Sequence, residues 1–389
     1  MKKIKISALF LTVLTAVVIM TAVPALANTP ITLIIDGNRQ SPDVAPIVVD
    51  GTTLVPLRLI SETLGADVEW NATRRQATIR TAAYTVVFTI GSTTYTINGA
   101  NRTLLQTPQI INDRTLVPIR AFAEAIGAEV GYNATTHTAT VDYFTKMTGS
   151  IIVTGSTTVQ PIAQAAADKL MGMNTGLSIT VSGGGSGAGV NAARDGTAHI
   201  GMSSRELTAT ELGVLNAYPV ANDGVAIIVH RNNPVNNLTM EQARGIFAGE
   251  ITNWNQVGGN NAAILVQTRE TGSGTLDTLN GLLMSGRAVA STASPHNSNP
   301  LLRTAVAGNA NAIGFVSVGY VDNTIKALTI GGRTASDSTI MAKTYPLSRF
   351  IYVCTRDRAT GVSAVFIDYL RSLDCQENIV KANGFVKLN

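Results

Sequence analysis

Apolar residues follow two rhythms along this chain, and the change between them falls near Met147. Before it, strand-like runs are interrupted twice by helical spacing, at Leu57, Ile60 and Leu64 and again at Ile119, Phe122 and Ile126. Positions three or four apart share a helix face, so each trio predicts a short amphipathic helix. Val68 to Trp70 and Ala77 to Arg80 predict flanking strands, and Tyr84 to Asn98 reads as two strands around Gly91-Ser92. The pattern is duplicated. Thr53-Leu-Val-Pro-Leu-Arg58 recurs as Thr115-Leu-Val-Pro-Ile-Arg120, Gly65-Ala-Asp-Val as Gly127-Ala-Glu-Val, and Trp70-Asn-Ala-Thr73 as Tyr132-Asn-Ala-Thr135, all at an offset of about 62 residues. A fixed period marks a true internal repeat, here a small α+β domain over 30–145.

After the Gly-Ser junction Met147-Thr-Gly-Ser150, strands alternate with helices. Ile151 to Val153, Leu177 to Val181 and Ala198 to Met202 predict strands; Val159 to Met171 and Gly189 to Asp195 predict helices between them. Ala226 to His230, Ile264 to Gln267, Ala312 to Val318 and Phe350 to Thr355 predict further strands. Such alternation over some 240 residues predicts an α/β fold, with ligands at the C-terminal ends of strands.

The first residues change the picture of where the chain works. Met1-Lys-Lys-Ile-Lys5 is a basic n-region, Ala8 to Val23 an apolar run, and Ala25-Leu26-Ala27 a small-residue cleavage site, so 1–27 reads as a signal peptide, with an uncleaved membrane anchor as the alternative. No cysteine follows the run, which argues against lipid attachment and for an extracytoplasmic, secreted or surface-associated protein. The formal charge is +4, but Lys2, Lys3 and Lys5 carry three of those charges, so the remainder is near +1. With no basic stripe, nucleic acid is not an expected partner. Cys354 and Cys375 are compatible with a bridge in an exported protein, or with two buried thiols.

Three segments place hydroxyls and glycines ahead of predicted helices: Thr154-Gly-Ser-Thr-Thr158, Gly183-Gly-Gly-Ser-Gly187 and Arg269-Glu-Thr-Gly-Ser-Gly-Thr275. Helix N-termini carry free N–H groups and about half a positive charge, glycine lets backbone approach a ligand, and hydroxyls add donors. Arg269 adds a planar fork that can clamp two oxygens. Converging, these would bind a small tetrahedral oxyanion. Alone, each has a plainer use: Thr157-Thr158 as an N-cap, Gly183 to Gly189 as a turn, Ser203-Ser204 as a cap, Arg205 as a surface ion-pair residue and Asp223 as a turn aspartate.

In sequence order these motifs, with Ile200-Gly-Met-Ser-Ser-Arg-Glu-Leu207, Asn222-Asp-Gly-Val-Ala226 and Ile246-Phe-Ala-Gly-Glu-Ile-Thr-Asn-Trp254, resemble the phosphate-binding receptors of phosphate ABC transporters, a PstS-like family, over about 149–389. The resemblance implies a two-lobed periplasmic-binding-protein (type II) fold, with lobe one at 149–228 plus 320–389 and lobe two at 229–319, crossing near Ala226 to Arg231 and Phe315 to Tyr320. It implies inorganic phosphate as ligand and an ABC permease as partner. The glycine loops lack Gly-Lys-Ser/Thr, no Gly-x-Ser-x-Gly elbow is present and the four histidines share no ligand or triad spacing, so no catalysis, cofactor or metal is expected. Carried over by position, Thr157, Thr158, Ser186 and Ser204 bind phosphate from one lobe, and Arg269, Ser273, Gly274 and Thr275 from the other. Where some members have a carboxylate, this chain has Arg205 after Ser204. Asp223 is therefore the expected acceptor for the phosphate proton, with Arg205 offsetting its charge. The repeats at 30–145 resemble the copper amine oxidase N-terminal-like domain. Only His137 of the four histidines lies there, too few for a multi-histidine copper site, and Arg58 and Arg120 read as caps or ion-pair partners. That resemblance implies a surface-interaction module, with a cell-wall component as a candidate partner. The competing functions are a receptor for sulfate or molybdate, and an adhesion protein whose anion site is vestigial.

Overall fold

The computed structural model describes residues 30–388; the signal peptide expected at 1–27 lies outside them. Among the described residues no helix is long and apolar enough to cross a membrane.

The two N-terminal repeats meet through their Leu-Val-Pro strands. Thr52–Pro56 pairs antiparallel with Arg114–Pro118, so that Val55 faces Val117 and the repeats are related about that point. Each strand runs directly into its helix, Leu57–Thr63 or Ile119–Ala125, after a proline. Proline suits that position because its fixed φ opens a helix and its missing N–H needs no partner there. The expected helix faces are inward: Leu57, Ile60, Leu64, Ile119, Phe122 and Ile126 are all buried. Each helix ends at a glycine with positive φ, Gly65 at 77° and Gly127 at 83°, which explains the repeated Gly-Ala signature. Arg58 pairs with Glu62 and Arg120 with Glu124, one turn on, at the surface. Beyond the helices, Asp67–Asn71 begins a five-stranded antiparallel sheet running to Ala100–Thr103, while Glu129–Asn133 edges a four-stranded sheet in which Thr32–Ile35 is an inner strand.

The remainder is built on one long strand, Asn216–His230. Its first part, to Gly224, pairs with Ser348–Thr355; from Val225 it pairs instead with Ala312–Ser317. The strand therefore leaves one lobe and enters the other near Gly224. On the first side lie the parallel strands Gly149–Gly155, Leu177–Ser182 and Ile200–Ser203; on the second lie Leu265–Arg269 and Ser294–His296. Predicted strands and helices correspond to observed ones, with Asn216–His230 extending ten residues upstream of the segment anticipated.

Two expectations are corrected. The lobe division at 320 does not hold: Ile325–Ala327 pairs with the second half of the long strand, and Leu328, Ile330, Ile340, Tyr345 and Leu347 pack in the second lobe's core with Phe247, Trp254 and Phe315. Apolar side chains in 325–347 bury there, so the chain returns only at Ser348, where Ser348–Thr355 begins. The second crossing accordingly lies near Ser348 rather than near Phe315 to Tyr320, and at the Gly-Ser junction Gly149 and Ser150 open the first parallel strand. Cys354 and Cys375 are buried free thiols, of the two states the sequence allowed.

The repeats are docked on lobe one. Asp368, buried in helix Gly361–Arg371, accepts the Tyr143 hydroxyl at 2.6 Å and the Ala82 N–H at 2.7 Å. Arg371 reaches Asp67 at 2.7 Å, and one continuous apolar core spans both sides.

Candidate functional site

Three parallel strands of lobe one end along one edge, with Gly149–Gly155 between Leu177–Ser182 and Ile200–Ser203. Their ends deliver Thr157 and Thr158, Ser186, and Ser204 respectively. Close packing of two glycines makes this possible. A Cβ on Gly189 would lie 2.7 Å from the Gly155 Cα, and one on Gly155 would lie 2.5 Å from the Met202 carbonyl oxygen. Without those atoms, helix Ser186–Asp195 lies directly on the strands. Its first residue then reaches Ser204: the Ser204 N–H donates to Ser186 Oγ at 3.0 Å, and the two hydroxyls are 3.2 Å apart.

Lobe two supplies the other wall. Strand Leu265–Arg269 ends on Arg269, and Ser273 caps helix Gly274–Leu279 by accepting the Leu276 N–H. Gly274 presses against lobe one so closely that a Cβ would stand 2.3 Å from Ser186 Oγ and 2.8 Å from Ser204 Oγ. Thr275 Oγ1 lies 3.3 Å from Thr158 Oγ1, Arg269 Nη2 donates to Thr157 Oγ1 at 3.4 Å, and the Gly187 N–H donates to the Gly272 carbonyl at 3.0 Å. Thr158, Ser186, Ser204, Arg269, Ser273 and Thr275 are each at most 3% exposed. The structure thus brings the expected residues of both lobes into one buried cluster of hydroxyls. Arg269 is held rigidly: Nε donates to Glu270 and to the His296 carbonyl, while Nη1 is buried with no partner among the described residues. Burial and Arg269 lower the His296 pKa, favouring a neutral ring beside the guanidinium.

The two remaining expected residues, Arg205 and Asp223, are both held in ion pairs. Arg205 does not offset Asp223. Its guanidinium grips Glu211 through two bonds of 2.8 Å and Asp277 through one of 3.0 Å, so it bridges the lobes at the edge of the cluster. The hydrogen-bonded Arg205 pulls Glu211 down to about 2. Asp223 is fully buried and paired with Arg349, a residue sequence reading missed. Its Oδ2 accepts Arg349 Nε at 2.8 Å and Nη2 at 2.7 Å, and its Oδ1 accepts Ser317 Oγ at 2.6 Å and the Val318 N–H at 3.3 Å. These four donors occupy the carboxylate's lone-pair directions. Arg349 continues to the Gly274 carbonyl and Thr275 Oγ1, both at 3.2 Å. Asp223 is thereby tied, through Arg349, to the lobe-two loop. Burial lowers the Arg349 pKa while the Asp223 charge opposes that shift.

Asn299 and Tyr320 were also missed. Asn299 Nδ2 donates to Thr158 Oγ1 at 2.9 Å, and the Tyr320 hydroxyl donates to the Thr157 carbonyl at 2.6 Å. Neither stands in one of the three glycine-hydroxyl loops, so those patterns do not mark them. Arg349 left one trace, a lone charge at the head of the apolar run Phe350 to Thr355.

Residues 133–373 match the PBP superfamily domain, and residues 34–141 match the copper amine oxidase N-terminal domain. The phosphate-binding protein PstS of Bacillus subtilis (strain 168) is 31% identical over 245 residues, which cover 62% of this chain and 81% of that protein. Two solved structures cover the same part. One, from Clostridium perfringens, is described as a phosphate ABC transporter substrate-binding protein with bound phosphate; it is 34% identical, at a TM-score of 0.60, over 62% of this chain and all of that one. The other, an ABC-type phosphate transport receptor from Vibrio cholerae, is 38% identical, at a TM-score of 0.54, over 61% of this chain and all of that one. The two-lobed sheet with its shared strand agrees with these matches, and the chain belongs to the PstS-like phosphate-binding family of the PBP superfamily, with a copper amine oxidase N-terminal domain ahead of its two lobes.

Proposed function

We propose that this protein is an extracytoplasmic receptor that captures inorganic phosphate between its lobes and delivers it to the permease of an ABC importer. The observation that carries the proposal is the closure of Arg269 and the Ser273-Gly274-Thr275 loop onto Thr157, Thr158, Ser186 and Ser204, with one guanidinium nitrogen of Arg269 buried and unpartnered. A tetrahedral oxyanion presents mainly acceptor oxygens, phosphate keeping a proton at neutral pH, and this cluster is rich in donors. Ion pairs leave the buried side chains nearly balanced, Arg269 against Glu270 and Arg349 against Asp223. Recognition then rests on hydrogen bonds more than on net positive charge. Charge-assisted hydrogen bonds contribute roughly 1.5–3 kcal/mol each, and micromolar affinity needs about 8 kcal/mol, so a handful suffices after closure costs. Delivery to a permease rests on the relatives' descriptions as transporter receptors. Export rests on the leader pattern at 1–27.

Calorimetric titration of the mature chain with phosphate, sulfate and molybdate at neutral pH tests the ligand. Saturable phosphate binding with no sulfate binding is the expected result. Preference for molybdate or sulfate would assign the receptor to a different oxyanion, and binding of none would make the site vestigial.

A further inference from the structure

The N-terminal domain carries two clefts of about 620 and 550 Å³ that the phosphate reading leaves unused. They are copies of each other. Every residue lining the first has its counterpart, 62 positions away, lining the second. Arg58, Glu62 and Trp70 of one correspond to Arg120, Glu124 and Tyr132 of the other. Each cleft is also built from both repeats, because Asp113 and Arg114 complete the first while Gly51 and Thr52 complete the second. The antiparallel pairing of Thr52–Pro56 with Arg114–Pro118 creates this exchange.

The chemistry common to the two clefts is specific. Trp70 is 41% exposed and Tyr132 47%, although large aromatic side chains ordinarily bury most of their surface. Beside each ring stands an exposed arginine-glutamate pair, offering donors and acceptors together. Asp43 and Arg114 form a further pair in the first cleft, so neither cleft has an excess of positive charge. That balance disfavours a polyanion such as nucleic acid or an anionic wall polymer. A flat apolar ring beside balanced polar groups instead matches a neutral sugar, which presents a C–H face and a rim of hydroxyls. Duplication points the same way. A polymer of one repeating unit offers the same ligand to two equal clefts, and two weak sites then combine through effective concentration. A protein surface would offer each cleft different side chains.

We propose that the twin clefts bind a neutral glycan strand through Trp70 and Tyr132, tethering the receptor to a polysaccharide matrix independently of its interlobe site. The chain itself provides the reporter, since Trp70 is half-exposed and the other tryptophan, Trp254, is buried. The probes are a tetramer of β-1,4-linked N-acetylglucosamine and insoluble peptidoglycan, each presented to the full mature chain. The tetramer is expected to protect Trp70 from acrylamide quenching saturably and to compete the chain off peptidoglycan. Trp70→Ala with Tyr132→Ala is expected to weaken pelleting at least tenfold, each single variant less, with phosphate titration unchanged. Arg58→Ala with Arg120→Ala checks the same clefts without touching the rings. The proposal is overturned if quenching does not respond to the tetramer and both double variants pellet like the parent. It is equally overturned if protease treatment of the peptidoglycan abolishes pelleting while glycan hydrolysis does not, which would identify a protein partner. Phosphate titration on the same samples reads the interlobe site separately, so failure of one proposal leaves the other standing or falling on its own data.

Discussion

Arg269 is the residue on which the anion site turns. Glu270 and the His296 carbonyl fix its Nε, leaving a buried nitrogen free to donate. Arg269→Lys keeps the charge but removes the planar fork, and calorimetry should show phosphate affinity falling by roughly 10- to 100-fold, the loss of one or two charge-assisted bonds. Unchanged affinity would remove Arg269 from the site. Asp223→Asn tests a different part. The structure ties Asp223 to Arg349, and removing one partner of a buried pair leaves the other charge uncompensated. Phosphate affinity should drop at least about tenfold with no gain in sulfate binding. A gain of sulfate binding would instead support Asp223 as the acceptor of the phosphate proton. Arg269 was legible in the sequence because its chemistry sits inside a contiguous motif. Arg349 was not, because its partners Asp223, Gly274 and Thr275 are more than seventy positions away.

At the scale of elements, small residues set how closely segments approach. Gly155 and Gly189 let a helix rest on a strand, and Gly274 lets the two lobes touch. Gly274→Ala places a methyl group 2.3 Å from Ser186 Oγ, a clash that arises only when the lobes are together. The variant is therefore expected to retain its thermal midpoint in the absence of ligand and to lose phosphate affinity by at least about tenfold. A large fall in the midpoint would show that the glycine serves folding instead. Element types followed directly from apolar periodicity, including both repeat helices and the parallel strands. The extent of Asn216–His230 did not. Its half-polar beginning, Asn216 to Asp223, looks like a loop until Ser348–Thr355 pairs with it and buries Asp223.

At the scale of the whole molecule, the junction between the repeats and lobe one is expected to respond to pH. Burial raises the Asp368 pKa to about 7 and that of Asp36 to about 6. Tyr143 faces both groups, its hydroxyl on Asp368 and its N–H on Asp36; Arg371, with Asp67 beyond it, also acts on Asp368, and Asp142 acts on Asp36. The native chain then holds more protons than the unfolded chain between about pH 4 and 7. Stability from these groups is full below that window and declines as pH rises through it. Thermal unfolding should show a midpoint that falls between pH 5 and pH 8, and Asp368→Asn should flatten the slope. A midpoint that rises over that range would contradict the assignment.

By itself the sequence determined the repeat, the alternation of strands and helices, and the three glycine-hydroxyl loops, because each is written in residues close together in the chain. It also carried the family resemblance through the order of those loops. Tertiary structure alone decided the rest: where 325–347 packs, that Arg349 rather than Arg205 answers Asp223, that Asp368 anchors the repeats, and that the repeats form twin clefts. Those outcomes depend on which distant surfaces exclude water together. Burial of apolar side chains and pairing of buried charges are properties of neighbours in space, and local spacing does not encode them.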